Sequence, residues 1–250
     1  MNVAERIHLV GSGMMGFGLT DPFDCHVYLV DGGDELALVD VGAGMGAQAI
    51  VENVRRAGFD PGRIRHLVLT HAHGDHAGGV ARMASLLDQP AVYVSEAVAG
   101  FVRAGDEHGV SIDVAKQVGI YPPDYRLEPY EVDVELEGGD SVQVGDLTLG
   151  ALDTPGHSDG HVSYLLEHGG RSTLFAGDAV FFGGKILLQA IYDCRLDATV
   201  RSLRALRSLA VDALLPGHLT LSLSDGQRHI ERANEVLDRL LIPEQMVSAW

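Results

Sequence analysis

Four side chains able to hold a metal ion fall within six positions, in the run His71-Ala72-His73-Gly74-Asp75-His76. Imidazole and carboxylate suit zinc, and also iron or manganese. His71 and His73 are two apart, so an extended segment turns both to one side. A turn at Gly74 lets Asp75 and His76 face a second position. Three more candidates each sit in a tight loop after an apolar segment. They are His157 in Thr154-Pro155-Gly156-His157, Asp178 in Phe175-Ala176-Gly177-Asp178, and His218 in Leu215-Pro216-Gly217-His218. Five histidines and two aspartates are enough for two metals that share a carboxylate and leave positions open to water. A structural site would close with four ligands. Any one of these histidines alone reads as a surface or core residue; the grouping is the signal.

The elements that must position these residues follow from periodicity. Residues 26–30 and 35–41 form a hairpin across Asp31-Gly32-Gly33-Asp34. The spacing of Ala49, Ile50, Val54 and Ala57 predicts a helix over 46–57, stopped by Gly58. A strand over 65–70 delivers the histidine run, a helix follows near 77–87, and another strand lies at 91–94. Strands resume at 131–136, 141–144 and 147–152, and a hairpin covers 161–167 and 172–176. Residues 198–209 are helical with Asp197 as N-cap. A short buried strand spans 213–215. The last helix spans 225–241, opened by a capping box of Ser224 and Gln227. Ligand-type residues just past strand ends, with helices alternating, predict two sheets packed face to face with helices outside.

Two motifs are decoys. Gly11-Ser12-Gly13-Met14-Met15-Gly16 fits a dinucleotide-binding pattern, which requires the last glycine to open a helix. Here Gly18 and Pro22 follow, then a strand-like run, so the glycines belong to a strand-to-strand loop. Gly156-His157-Ser158-Asp159-Gly160 fits the nucleophile elbow of serine hydrolases, which needs a helix after it. The alternating residues 161–166 predict a strand instead. Ser158 and His161 are then expected to orient ligands by hydrogen bonds, as is Asp40 at the end of its strand.

The chain has 250 residues and a net charge of −17. That charge repels phosphate backbones and argues against nucleic acid. Two cysteines make no disulfide framework. No apolar run approaches the ~20 residues that span a bilayer, and no signal peptide is visible, so a cytoplasmic protein without a membrane partner is expected.

The four motifs, His71-x-His73-x-Asp75-His76, Thr154-Pro155-Gly156-His157, Gly177-Asp178 and Pro216-Gly217-His218, resemble those of the metallo-β-lactamase fold superfamily, in the family's order and over nearly the whole chain. The glyoxalase II-like and lactonase-like hydrolases are the most similar branches. The resemblance implies an α+β fold, a four-layer αββα sandwich with the site at one edge. The chain is expected to form one domain, 1–250, with a helical insertion near 96–130. It implies that His71, His73 and His157 bind a first metal, that Asp75, His76 and His218 bind a second, and that Asp178 bridges them. Two divalent ions are implied, zinc first, with iron or manganese accepted by the same set. Bound water has its pKa lowered to ~7, and two ions ~3.5–4 Å apart hold the hydroxide and polarise a carbonyl, with Asp75 orienting the nucleophile.

The expected substrate is a small ester, lactone or thioester; a two-metal phosphodiesterase and a β-lactamase are the alternatives. N-acyl homoserine lactonases carry a tyrosine where this chain has Phe181, with Tyr192 as a possible substitute further along. Glyoxalase II has a C-terminal helical domain, whereas the 32 residues after His218 predict one helix and a tail. Met14, Met15 and Phe17 are expected to line the substrate mouth, with Lys185 placed to meet an anionic substrate. Residues 96–130 exceed the ~12–15 at which a connection implies a role. They read as a mobile lid carrying Phe101, Tyr121 and Tyr125, or as the interface of a homodimer.

Overall fold

The computed structural model describes residues 1–247; residues 248–250 of the expected domain lie outside it. In chain order the strands are β1 (Asn2–Ala4), β2 (Ile7–Gly11), β3 (Val27–Asp31), β4 (Leu36–Val39), β5 (Ile64–Val68), β6 (Ala91–Ser95), β7 (Val134–Leu136), β8 (Ser141–Val144), β9 (Leu147–Asp153), β10 (Val162–His168), β11 (Arg171–Gly177) and β12 (Ala213–Pro216). The helices are α1 (Ala47–Arg56), α2 (Gly74–Ala77), α3 (Val80–Leu86), α4 (Glu96–Ala104), α5 (Ile112–Gln117), α6 (Leu196–Leu206) and α7 (Gln227–Asp238). Among the described residues, β1 to β7 form one sheet in sequence order, and the second runs β12-β11-β10-β9-β8. Strands β4 to β7 are parallel, as is the β11–β12 pair; the other pairs are antiparallel.

Alternation makes the layers. In β8 and β9, Val142, Val144, Leu147, Leu149 and Ala151 point inward while their neighbours face out. They meet Leu9, Tyr28, Val30, Val39 and Val68 of the first sheet in the central core. Truncating one of these, such as Leu149→Ala, costs ~2–5 kcal/mol. On the outer face of the first sheet, α1 buries Ala47, Ile50, Val51 and Val54 at helical spacing. On the outer face of the second, α6 and α7 bury Leu203, Leu206, Ile230, Ala233 and Leu237. The result is the αββα sandwich.

Two helix starts differ from expectation. Arg195, not Asp197, precedes α6; Asp197 lies in the first turn and binds Arg201 at 2.7 Å. Gly226 precedes α7, and Gln227 instead accepts from the Val211 amide. The first strand was too short to show a period. None of the described helices is long and apolar enough to cross a membrane.

At one edge the two sheets are tied together. The Val162 amide donates to the Thr70 carbonyl at 2.8 Å. The Tyr164 hydroxyl donates to the Leu69 carbonyl at 2.7 Å, and the Tyr28 hydroxyl to the Pro216 carbonyl at 2.6 Å. This seam fixes the loops that carry the ligand-type residues.

Candidate metal centre

The strand ends do what the motifs require. The loop after β5 brings His71 and His73 to the seam, and α2 turns Asp75 and His76 beside them. His157 arrives from the β9–β10 loop, Asp178 from the end of β11 and His218 from the end of β12. Two clusters result: His71, His73 and His157 in one, and Asp75, His76 and His218 in the other. Within each, the potential ligand atoms lie within 4.8 Å of one another, as they do for His71, His76 and Asp178. Asp178 lies between the clusters, 3.5 Å from His76 Nε2 through Oδ1, and 3.5 Å from both His157 Nε2 and His218 Nε2 through Oδ2.

Hydrogen bonds set the ring tautomers. Asp40 accepts from the Thr70 amide and hydroxyl, so that hydroxyl accepts from His71 Nδ1 at 3.0 Å. His71 Nε2 is left buried with no partner, and so is Asp178 Oδ1. His76 Nδ1 donates to Asp40 Oδ2 at 2.8 Å, turning Nε2 toward His218 and Asp178. His73 Nε2 donates to Asp193 Oδ2 at 3.0 Å, freeing Nδ1. His157 Nδ1 donates to the Leu187 carbonyl at 3.3 Å, freeing Nε2. The free His73 Nδ1 and His157 Nε2 face each other at 2.9 Å. Two unprotonated nitrogens so placed repel, and a cation between them removes that repulsion. Together with the orphaned His71 Nε2 and Asp178 Oδ1, this donor set fits divalent metal ions.

Electrostatics separate the clusters. Burial, then the neighbouring imidazoles, hold His71 well below the usual histidine range, and burial with His73 takes His157 down to about 4. In the other cluster burial also opposes the charged rings, but the acidic neighbours outweigh it. His218 rises to about 9 beside Asp178 and Asp75, and His76 is raised well above its usual value. Burial would raise Asp178, yet the charges on His218 and His76 hold it well below the carboxylate range.

Two of the three expected supporting residues, Asp40 and His161, bond the ligand residues, whereas Ser158 orients none of them. Asp40 orients His71 and His76, and His161 accepts from the Asp178 amide at 3.0 Å through Nε2 while its Nδ1 bonds Thr154. Ser158 is buried with its hydroxyl unpartnered, and residues after it enter β10 rather than a helix, so the serine-hydrolase pattern is a coincidence of sequence. Gly217 is a steric requirement: a Cβ there would meet Asp178 Oδ1 and lie 2.6 Å from His76 Cε1.

The proposed substrate contacts are placed unevenly. The glycine-rich loop joins β2 to β3, with no helix opened by Gly16. Met14 and Phe17 are exposed on it, and the Met15 carbonyl accepts from the Leu219 amide next to His218 at 2.8 Å. Phe181 is buried, its ring 6.4 Å from that of His218. Tyr192 is exposed and packs on His108. Lys185 turns its ammonium to Glu244 at 2.8 Å, so its charge is spent on the C-terminal segment.

Sequence reading missed three residues. His26 donates from Nε2 to the Leu219 carbonyl and accepts at Nδ1 from Ser12, whose oxygen accepts from the Phe17 amide. It thus ties the glycine-rich loop to the His218 loop, with burial pushing its pKa down to about 4. Asp193 and Ser111 form a chain to His73. None of the three lies in a recognisable motif.

The family model of the metallo-β-lactamase superfamily matches residues 20–218, most of the chain and all seven clustered residues. This chain belongs to the metallo-β-lactamase superfamily. Like the family's members, it is a metal-dependent hydrolase. Acyl-coenzyme A thioesterase MBLAC2 of Bos taurus is 28% identical over 77% of this chain and 72% of its own length. A hydroxyacylglutathione hydrolase of Hahella chejuensis is 31% identical, but over only 48% of this chain, which spans about a third (35%) of that relative. A metallo-β-lactamase of Cronobacter sakazakii with a HARLDQ motif has the same fold at a TM-score of 0.73, covering 96% of each chain at 21% identity.

Proposed function

We propose that the protein is a binuclear hydrolase that cleaves small acyl thioesters, with His71, His73 and His157 holding one ion, Asp75, His76 and His218 the other, and Asp178 shared. The observation that carries the reading is the convergence of both clusters on Asp178, whose Oδ1, like the nearby His71 Nε2, is buried and unpartnered. Bound there, two divalent ions lower the pKa of water and polarise a carbonyl; zinc fits this nitrogen and oxygen set, as do iron and manganese. The chain's own residues supply order. Asp40, Asp193 and the Leu187 carbonyl hold the imidazoles in one tautomer. Asp75 spends Oδ1 on Tyr121 and keeps Oδ2 toward His218 at 3.1 Å, where it orients the attacking oxygen. Met14 and Phe17 offer apolar contact to the acyl chain.

A thioester is favoured over a plain ester or lactone on two grounds. A relative matched over 72% of its own length is named an acyl-coenzyme A thioesterase. A departing thiol, with pKa ≈ 8.5, needs little help from a proton donor, and Phe181 beside His218 has none to offer. A panel of acyl-coenzyme A, p-nitrophenyl acetate, a lactone, a cephalosporin and bis-p-nitrophenyl phosphate tests the reading alongside metal analysis. Acyl-coenzyme A should give the highest kcat/KM with close to two ions per chain. Faster turnover of the phosphodiester or the cephalosporin overturns it.

A further inference from the structure

We propose that the helical insertion over residues 96–130 positions a ligand in each metal half-site, through Tyr121 on Asp75 and through Ser111 and Asp193 on His73. The proposal rests on the metal-ligand reading above. On one side, the Tyr121 hydroxyl donates to Asp75 Oδ1 at 3.1 Å. Its ring stacks on Tyr125 at 4.6 Å and 16°, and the Tyr125 hydroxyl donates to the Gly74 carbonyl at 2.9 Å, within the ligand loop itself. Gly78 has no room for a side chain because a Cβ would run into that hydroxyl. On the other side, the Ser111 hydroxyl donates to Asp193 Oδ1 at 2.6 Å, and Asp193 Oδ2 accepts from His73 Nε2 at 3.0 Å. Ser111 does this from a left-handed backbone, φ +58°, unfavourable for a residue with a Cβ.

Each anchor decides something a ligand cannot decide alone. A carboxylate has two equivalent oxygens, and Tyr121 occupies one, leaving the other for the ion. An imidazole can present either nitrogen, and Asp193, by accepting the Nε2–H, keeps the proton on that one and leaves the other free. Ser111 in turn fixes Asp193, which is buried and comes from a different part of the chain. Tyr121 and Ser111 are therefore positioning residues, and the insertion is an assembly part of the centre, pinned to both half-sites.

The test strips the full-length protein with a chelator and titrates it with cobalt(II), followed by its d–d spectrum, and with zinc against a chromophoric chelator. Tyr121→Phe should weaken the second half-site about 10–100-fold and alter its cobalt bands, with the first equivalent unchanged. Ser111→Ala should weaken the first half-site alone by a similar factor, and Asp193→Asn should reproduce that selectivity if Ser111→Ala folds poorly. Metal-free melting temperatures should stay near wild type, which separates positioning from packing. The proposal is overturned if the variants keep both affinities within twofold, or lose both equally. If wild type itself fails to take two cobalt ions, the ligand reading fails first and the proposal with it.

Discussion

The two ligand-type clusters differ in charge. His71, His73 and His157 form an all-imidazole pocket where crowding and burial keep His71 and His157 neutral. Asp75, His76 and His218 form an acidic pocket where protons on His76 and His218 balance Asp75 and Asp178. One pocket stores repulsion between lone pairs, and the other stores protons that an entering ion must displace. The same fold edge thus makes two pockets whose histidines are shifted in opposite directions.

The shared aspartate is the sharpest way to break this comparison. Asp178→Ala removes the group common to both pockets, so kcat/KM should fall on the order of 10³-fold, several kcal/mol of transition-state stabilisation. Metal content should drop below one equivalent by plasma mass spectrometry. Full retention of one ion would assign Asp178 to a single pocket.

Asp75→Ala or His76→Ala should leave one ion in the all-imidazole pocket and lower kcat/KM by ~10²-fold or more, with the far-ultraviolet circular dichroism unchanged. A wild-type rate in either variant would remove the acidic pocket from the mechanism. Asp40→Asn acts through His76 and Thr70, and should weaken ion binding about 10–100-fold.

Acid dependence sharpens the contrast further. At neutral pH His218, with its pKa at about 9, is protonated, so filling the acidic pocket should release protons. Filling the imidazole pocket releases few, since His157 titrates near 4. Calorimetry in buffers of different ionisation enthalpy reads this directly, and equal proton release for both ions would erase the distinction. In the metal-free protein, His218 adds stability that is complete below about 6.5 and lost as pH rises through about 9. His157 is depressed, so its cost appears as pH falls from about 6.5 toward 4. His218→Gln should flatten the alkaline limb of the melting-temperature profile and His157→Gln the acid limb.

The smallest effect is expected away from both pockets. Phe17→Ala trims an exposed side chain on the glycine-rich loop and should raise KM for long acyl chains a few-fold with kcat unchanged.

What the sequence made legible follows from distance along the chain. The run His71 to His76 is local, and the loops of His157, Asp178 and His218 each announce themselves with glycine after an apolar segment. Alternation and helical spacing recovered the layers for the same reason. The bonds that orient the ligands are long-range: Asp193 lies 120 residues from His73, and Tyr121 lies 46 from Asp75. A serine, a tyrosine and an aspartate in loops carry no periodic signature, so only the fold reveals them. His26 escaped because a lone histidine opening a strand looks like any buried one. Within the insertion, the hydroxyls of Tyr121 and Tyr125 bond the ligand loop, contacts that no local pattern predicts.

The order of the ligands along the chain has a consequence in time. Each pocket takes two residues from the first sheet's loops and one from the second, and His76 precedes its partner His218 by 142 residues. At about 5–20 residues per second of synthesis, roughly 7 to 28 seconds separate the two. For that interval the histidine run is exposed with half a pocket, and the acidic pocket cannot close until residue 218 has emerged and β12 has paired with β11, whereas the all-imidazole pocket has its last residue by position 157. An ion captured at the His218 pocket before then would meet an incomplete and exchangeable set of donors.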